Sequence, residues 1–346
     1  MCVCFGSRTF CFVGDFMRAS SIITNCDNSK KRIDSIQILR GLAIIAVVII
    51  HSYPQGLFGV FLRPFVNFAV AMFIFLSGYL TKVSISDYRG FVFKRIKRVF
   101  VPYCIWSVVY TIPTGFDGFL IKFITGRCCG IYYYIFVYMQ LVVLTPLIIK
   151  LIKSKYQMFG WLITPFFTLL FRYIFVWLGF DVVSSNFNYL FVAWFVFYYV
   201  GILLGNDIIT LKNNNRLYVI LYVICIALSI CEGLAWYKVG NYDMATTQLR
   251  ITSIATSMVV IVLAYHFIKN YKGLSKNIIG KVLLLVGDAS FGIYLSHILI
   301  MVALSLIPVW KYIIFPVNSI VILSVSVICV LIGKKVLSRF AWLLGL

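Results

Sequence analysis

Charged residues are scarce in this chain: they make up 12% of its 346 residues, whereas hydrophobic residues make up 62%. Soluble domains carry about 25% charged residues, so the composition excludes an ordinary soluble fold. The apolar residues also come in runs that are long enough to cross a bilayer. The sequence therefore predicts an all-α, polytopic membrane protein.

Other features are missing as well. The ten cysteines show neither a CxxC zinc pattern nor a disulfide framework, because most lie before the first apolar run or within later runs. Arg8, Asp15 and Arg18 interrupt any apolar run near the start, which argues against a cleavable signal peptide. No internal repeat or soluble module is evident. We expect residues 1–32 to form a poorly structured cytoplasmic leader and residues 33–340 to form one membrane domain.

Ten apolar runs are predicted to span the membrane. They cover approximately residues 35–53, 64–81, 99–113, 131–149, 158–178, 187–205, 217–235, 250–268, 282–303 and 314–333. An even number of spans places both termini on the same side of the membrane, and the distribution of basic residues predicts that this side is the cytoplasm.

The basic residues support this topology. The net charge of +21 could suggest nucleic-acid binding, but the basic residues cluster in short segments between apolar runs, as in cytoplasmic loops. With the N-terminus inside, 23 of the 31 Lys and Arg residues lie on the cytoplasmic side. Six are predicted to lie outside: Arg63, Lys122, Arg127, Lys238, Arg250 and Lys311. We therefore expect the chain to contact membrane lipids and not to bind nucleic acid.

The first predicted span, IDSIQILRGLAIIAVVIIHSY, contains two polar interruptions, Arg40 and His51. Eleven residues at about 100° each complete three turns plus about 20°, so the two side chains share one face, about 16 Å apart along the axis. Both are costly in a bilayer and should point into a protein or water-filled interior. The alternative is a snorkelling arginine and a histidine that bonds a neighbour at the helix end.

A second cluster of polar residues precedes the third span, in YRGFVFKRIKRVF. Arg95 and Arg98 share a helix face, and Lys94 and Lys97 flank them. The cluster could simply anchor the chain to anionic lipid headgroups. Alternatively, it forms a cytoplasmic site for a polyanionic ligand, since arginine forks match the geometry of phosphate.

The ninth predicted span, VGDASFGIYLSHILI, contains Ser296 and His297. His51 and His297 each lie 16 residues after the inner end of their spans, about 24 Å into the membrane. Two parallel helices would thus bring them to a similar depth and permit a shared site. His297 could equally be a helix-end histidine that bonds a backbone carbonyl.

Other polar and aromatic residues are less specific. Arg172 is expected to face the interior, Glu232 to lie near the outer interface, and His266 to be interfacial. The stripe of Tyr132, Tyr133, Tyr134, Phe136 and Tyr138 is best interpreted as an interfacial aromatic belt, although tyrosines also stack on sugar rings.

Several phrases in this order resemble the membrane-bound acyltransferase-3 family, which includes bacterial polysaccharide O-acetyltransferases. LRGLAIIAVVIIHS looks like the family's Arg-x10-His first helix, AMFIFLSGYL like its second-helix phrase and KRIKRVFVPYCIW like its Arg-x-x-Arg motif. YYIFVYMQLVVLTPLI, WFVFYYVGILLG and SFGIYLSH resemble later landmarks. The resemblance covers about residues 33–335, but Tyr132 to Tyr134 stand where the family pattern has a tryptophan.

The resemblance implies a ten-helix O-acyltransferase in the cytoplasmic membrane. The donor would be cytoplasmic acyl-CoA, most often acetyl-CoA, and the acceptor a hydroxyl of an extracytoplasmic or lipid-linked saccharide. No metal is implied. Some relatives carry an added periplasmic domain, which we do not expect here, because the chain ends soon after the tenth span.

The expected site then has three parts. His51 would be the general base, since a neutral imidazole can accept the proton of an attacking hydroxyl. Arg40 would hold the CoA portion or stabilise developing negative charge. Arg95, Arg98, Lys94 and Lys97 would bind the nucleotide phosphates, and His297, Ser296 and Tyr133 would line the acceptor side.

A saccharide transporter or flippase is the alternative, since it too would explain buried charges and aromatic residues. Transporters often contain inverted repeats and helices broken near mid-span, and no convincing pair of broken helices is evident in the sequence.

Overall fold

The computed structural model describes residues 34–271, 273 and 277–346, so the predicted leader lies outside the described residues. Every regular element in the described part of the chain is helical, which confirms the all-α class. The helices, in chain order, are α1 Asp34–Ser52, α2 Leu57–Val66, α3 Phe68–Tyr79, α4 Tyr88–Thr111, α5 Phe119–Ile124, α6 Tyr133–Lys153, α7 Phe159–Thr168, α8 Phe175–Trp177, α9 Asp181–Ser185, α10 Phe195–Gly205, α11 Asn215–Lys238, α12 Tyr242–Thr246, α13 Ile251–Asn270, α14 Ile278–Asp288, α15 Ser290–Ser305 and α16 Val317–Leu337.

By length and composition, the described residues contain seven helices that could cross a membrane, or eight if the bent pair α14 and α15 is one span. The chain is therefore a multi-pass membrane protein, but the predicted number of ten spans is not confirmed. The third predicted span corresponds to α4, whose first half contains Arg89, Lys94, Arg95, Lys97 and Arg98. The sixth corresponds to α10, which has only 11 residues.

Two predicted spans are interrupted where the sequence suggested regular helix. In the fifth, a π-helical turn at Leu169–Ile174 separates α7 from α8. In the sixth, the stretch before α10 folds into short 3-10 turns at Asn186–Tyr189 and Phe191–Ala193. Gln140 of α6 fixes this irregular segment, because its side chain donates to the Tyr189 carbonyl (2.8 Å) and accepts from the Phe191 backbone N–H (3.1 Å).

Helix α10 lies at the centre of the fold, and all of its residues are buried. A helix that is apolar on every side is suited to such a position. It packs most extensively on α3, and the two backbones approach closely at Gly78, Gly201 and Gly205. A Cβ atom at Gly201 would overlap the backbone of α3 at Phe75 and Tyr79. Glycine is required here for the close approach of two helices rather than for backbone flexibility.

Helices α1 and α6 lie between two apolar cores. The first half of α1, with Ile36 and Leu39, packs into a core built on α3, α10 and α13. Its second half, with Val47 and Val48, packs into a core that includes α15 and α16. Helix α6 likewise contributes residues to both cores. The polar face of α1 is therefore held where the two cores meet.

The ninth predicted span is not one straight helix. Helices α14 and α15 meet at Ala289 with a bend of 78°. Helix α14 crosses α1 with backbones in close approach, since a Cβ at Gly287 would overlap the Gln37 carbonyl and one at Gly41 the Leu283 carbonyl. Helix α15 then turns toward the end of α1 that carries His51.

The close approach of α3 and α10 makes a stability prediction. Gly201→Ala should destabilise the fold by about 1–3 kcal/mol, because the added methyl group must push two buried backbones apart. Gly130→Ala is the matched control, since nothing lies within 4 Å of a Cβ atom at Gly130. Thermal unfolding of the detergent-purified variants measures the difference. Equal melting temperatures for the two variants would contradict the proposed packing.

Candidate active site

The C-terminal turn of α1, which carries His51, is fastened to α16. Ser52 Oγ donates to the Val48 carbonyl (2.7 Å) and lies 2.7 Å from Ser319 Oγ. The Asn318 amide donates to the Ser52 carbonyl at 2.7 Å, so it satisfies a carbonyl that has no partner within α1. These bonds fix the position of the residue next to His51.

The structure brings His51 and His297 together. Their ring centroids are 5.3 Å apart and the rings are inclined by 49°. The sequence predicted their similar depth from two straight parallel helices, but the contact is reached by the bent pair instead. The pairing was thus predictable, whereas the path of the chain that produces it was not.

The two imidazoles differ in their hydrogen bonding. His297 is buried, and its Nδ1 donates to the carbonyls of Ile293 (3.0 Å) and Tyr294 (2.9 Å). Because a carbonyl can only accept, Nδ1 carries the proton, and Nε2 of the neutral ring is a buried acceptor without a partner in the described residues. His51 makes no side-chain hydrogen bond within residues 34–271, 273 and 277–346 and keeps accessible surface. His51 is therefore the ring that remains free to meet a ligand.

Arg40 is half-buried. It lies three turns before His51 on the same face of α1, and its Nη1 is 3.5 Å from Gln37 Oε1. The other groups with which it interacts electrostatically are Tyr134 and Tyr138 of α6, Arg98 of α4 and Asp288 of α14. It therefore points toward neighbouring helices rather than toward lipid.

A line of aromatic rings connects the Arg40 region with the histidine pair. Tyr134 lies 6.4 Å from Tyr138 and 5.5 Å from Tyr294, and Tyr294 lies 6.4 Å from His297. Tyr132 is fully buried, so the interpretation of this stripe as an interfacial belt is wrong for Tyr132. Burial of Tyr132 could not be predicted from the sequence, because apolar residues neighbour this tyrosine in either environment.

Several of these residues are surrounded by protein and yet keep accessible surface: His51, Arg40, Tyr133 and Tyr134. Each of these side chains therefore has protein neighbours and open surface beside it. The ring contacts from Tyr138 through Tyr134 and Tyr294 to His297 join the region of Arg40 to the histidine pair.

The basic residues of α4 have different contact partners. Arg95 donates from Nη1 to the Ser77 carbonyl (3.3 Å) and Oγ (3.2 Å) and lies 4.6 Å from the centre of the Phe91 ring. The Lys97 ammonium lies over the rings of Phe93 (5.9 Å) and Trp342 (5.6 Å). Lys94, Lys97 and Arg98 are all exposed. Of the predicted phosphate ligands, Arg98 is thus the one near Arg40, whereas Arg95 binds the end of α3.

The predicted acceptor residues also differ. Ser296 Oγ donates to the Gly292 carbonyl of its own helix (2.9 Å), so its proton is already used. Tyr133 stacks on Trp194 (ring centroids 6.0 Å apart) and interacts electrostatically with Arg63. Tyr133 therefore lies between Trp194 and Arg63, while the Ser296 hydroxyl bonds within its own helix.

Arg63 was missed as a site residue because the predicted second span begins at residue 64, which placed it in an outer loop. It lies inside α2 and is buried, with Nε donating to the Thr246 carbonyl (2.8 Å). It interacts electrostatically with His51. The early apolar residues 57–62 of α2 were the signal that the span starts before Arg63.

Farther from the histidines, three other charged residues form polar contacts. Arg172, predicted to face the interior, is buried and pairs with Asp243 at 2.6 Å. Arg250 was predicted to lie in an outer loop; it is fully buried and bonds the Ser229 carbonyl and hydroxyl, both at 3.2 Å. Glu232 accepts from the hydroxyls of Tyr173 and Thr252. Each of these groups already has a protein partner.

No group of three or more His, Cys, Asp or Glu side chains that could hold a metal ion occurs in the described part of the chain. The site instead combines imidazole, guanidinium and phenol groups. Such groups move protons and bind anions, which is the chemistry of group transfer or of anion transport.

A pair of imidazoles with guanidinium and phenol groups nearby, in a multi-pass helical membrane protein, is compatible with a transferase and with a transporter. The sequence matches the family model of an acyltransferase domain (Acyl_transf_3) over residues 33–335, well over half of the chain. The chain belongs to the acyltransferase-3 family, which confirms the resemblance seen in its sequence phrases. No curated protein and no solved structure matches the chain.

The different contacts of Arg95 and Arg98 lead to a prediction. Arg95→Ala should lower stability by about 1–2 kcal/mol, because it leaves the carbonyls of Ser77 and Leu80 without a charged donor. Arg98→Ala removes the same side chain one turn later, where it is exposed, and should leave the melting temperature unchanged. Thermal unfolding in detergent compares the two variants. An equal loss of stability in both would show that the division of roles is wrong.

Proposed function

We propose that this protein is a membrane O-acyltransferase of the cytoplasmic membrane. It moves an acyl group, acetyl in the simplest case, from cytoplasmic acyl-CoA to a hydroxyl of an extracytoplasmic or lipid-linked saccharide. Membership of the acyltransferase-3 family supports acyl transfer itself. The observation that supports the finer proposal is the imidazole of His51 beside His297, which the rings of Tyr294 and Tyr134 join to α6.

In this proposal Arg98 and Lys94 hold the phosphates of the donor at the cytoplasmic mouth. Arg98 offers a fork of N–H donors that matches phosphate, and both side chains are exposed. Arg95 contributes indirectly, since its bonds to Ser77 join α4 to α3. Lys97 is left out of the donor site, because its ammonium lies over Trp342.

Arg40 and the tyrosines Tyr134 and Tyr138 then line the passage for the arm that carries the thioester. Arg40 lies about 16 Å from His51 along α1, so an extended donor can contact both residues at once. Phenol and guanidinium groups offer hydrogen bonds to the amides of such an arm without blocking it.

The chemical step places His51 as the general base. Its unprotonated nitrogen accepts the proton of the saccharide hydroxyl while the hydroxyl oxygen attacks the thioester carbonyl carbon. The tetrahedral intermediate expels the CoA thiolate as the carbon–sulfur bond breaks, and the imidazolium returns its proton to the thiolate. The products are the saccharide ester and free CoA. In this proposal His297 and Tyr133 line the acceptor side, where His297 Nε2 is an unused acceptor for a second hydroxyl, and Ser296, whose hydroxyl bonds its own helix, supports His297 from the neighbouring position.

The proposal predicts an unequal effect of two histidine substitutions. His51→Ala should abolish transfer and leave donor binding intact, because the imidazole acts on the acceptor proton and not on the CoA phosphates. His266→Ala is the matched control: this ring is buried at the end of α13 against Tyr218. The assay gives radiolabelled acetyl-CoA to inverted vesicles and measures label in their glycans. Normal labelling with His51→Ala would refute the general-base assignment.

Arg98→Ala should raise the KM for acetyl-CoA by about 10-fold or more, since a charge-assisted phosphate contact contributes roughly 1.5–3 kcal/mol. The rate at saturating acetyl-CoA should change little. Initial rates over a range of donor concentrations in the same vesicles separate the two constants. A fall in the saturating rate at unchanged KM would place Arg98 outside the donor site.

A transporter for saccharides or lipid-linked sugars is the second candidate. One observation favours it: the span formed by α14 and α15 is broken, and broken helices often line transport sites. The decisive experiment compares the O-acetyl content of surface glycans in cells with and without the protein and then follows saccharide movement in vesicles without acyl-CoA. Movement without acyl-CoA and an unchanged O-acetyl content would support the transporter.

A further inference from the structure

Arg63 is a second guanidinium at the histidine pair, and none of the roles above uses it. It keeps 9% of its surface accessible, and its Nε donates to the Thr246 carbonyl at 2.8 Å. Its guanidinium lies 5.9 Å from the centre of the Tyr53 ring. The groups that surround it electrostatically also include the phenols of Tyr133 and Tyr242.

No carboxylate pairs with Arg63 in residues 34–271, 273 and 277–346. Its positive charge is met there by a carbonyl and by neutral phenols. A buried cation without a counter-charge is costly inside a membrane protein, and such residues mark functional sites. The contrast with Arg172 is direct, because Arg172 is equally buried but pairs with Asp243. Arg63 is therefore poised to stabilise a negative charge that arises or binds beside it.

The two candidate arginines differ in their distance from His51. Arg40 precedes His51 by eleven residues of one helix, about 16 Å, which exceeds the reach of its side chain. Arg63 comes from α2, and its guanidinium lies 5.9 Å from the centre of the Tyr53 ring, two residues after His51 in the chain. A carbonyl that is attacked beside His51 is thus close to Arg63 and far from Arg40.

We propose that Arg63 is the oxyanion-binding residue of the acyl transfer, a role that rests on the proposed function. When the hydroxyl oxygen attacks the thioester carbon, the carbonyl π electrons move onto the carbonyl oxygen. The guanidinium N–H groups of Arg63 donate to that oxygen until the carbonyl re-forms and the carbon–sulfur bond breaks. Arg40, which the sequence also suggested for this role, is confined to the donor passage.

The fixed bond to Thr246 suits this task. Donors that are already oriented stabilise a developing charge without reorganisation, and removal of one such donor typically costs 10²–10³-fold in kcat. The hydroxyl groups of Tyr53 and Tyr242 lie 3.5 Å apart, and the Tyr242 hydroxyl also accepts from the Gly56 backbone N–H (3.1 Å). These bonds hold the turn that leads from α1 into α2, the helix that carries Arg63.

The test measures transfer of radiolabelled acetyl groups in inverted vesicles, with a surface-glycan extract from the producing cells as added acceptor. Arg63→Gln should lower kcat by about 10²–10³-fold and leave the KM for acetyl-CoA and for the extract within about twofold. Arg40→Gln should instead raise the KM for acetyl-CoA. Arg127→Gln removes an exposed arginine that bonds Asn186 and is the charge control, expected to match the unchanged protein.

Two results would overturn the assignment while the proposed function stands. An unchanged kcat for Arg63→Gln means that Arg63 does not meet the reacting oxygen. A raised KM for the extract with unchanged kcat means that Arg63 recognises an anionic group of the acceptor instead. If the unchanged protein transfers no acetyl group, the proposed function fails and the oxyanion role fails with it.

Arg63→Lys keeps the test decisive if the glutamine variant does not fold. Lysine retains the charge but loses the planar fork and the Nε bond to Thr246. We expect a kcat at least about 10-fold below that of the unchanged protein, with unchanged donor KM. A lysine variant with full kcat would refute specific binding of the oxyanion by the guanidinium.

Discussion

The structure depends on one constraint: the polar face of α1 must be kept away from lipid. Arg40 and His51 lie on a helix whose other residues between them are apolar or glycine. A guanidinium facing the hydrocarbon core would cost at least about 2.5 kcal/mol, so other helices must cover that face. Two apolar cores do so, one on each half of α1, and α6 joins them.

The bend between α14 and α15 serves the same arrangement. Helix α14 can cross α1 at close range because Gly41 and Gly287 leave room for the backbones. After the bend, α15 brings His297 to His51. A straight continuation of α14 would carry the histidine along a different line. The bend, rather than the equal depth of two parallel helices, therefore produces the pair.

The features that could be predicted from sequence were those set by local periodicity. The shared face of Arg40 and His51 follows from 3.6 residues per turn, and the apolar runs give most helix positions. The features that could not be predicted depend on tertiary contacts. Arg63 was predicted to lie outside the membrane, because a charge at the edge of an apolar run usually marks the end of a span. In the structure the Thr246 carbonyl provides a buried hydrogen-bond acceptor for it. Arg250 was misplaced for the same reason. The short α10 was expected to be longer, because apolar residues continue into the 3-10 turns that precede it.

The contacts around the bend also bear on the choice between enzyme and transporter. Alternating access moves one helix bundle or repeat against another around a site that broken helices form. Here Lys334 of α16 pairs with Asp288 at the bend (2.8 Å) and also donates to its carbonyl (3.3 Å). Helix α14 is packed against the α1 backbone, and α16 in turn holds the end of α1 through Asn318 and Ser319. Opening the bend would therefore break contacts to both helices that position His51. Such a bend is better suited to hold two imidazoles in a fixed relation than to move during a transport cycle.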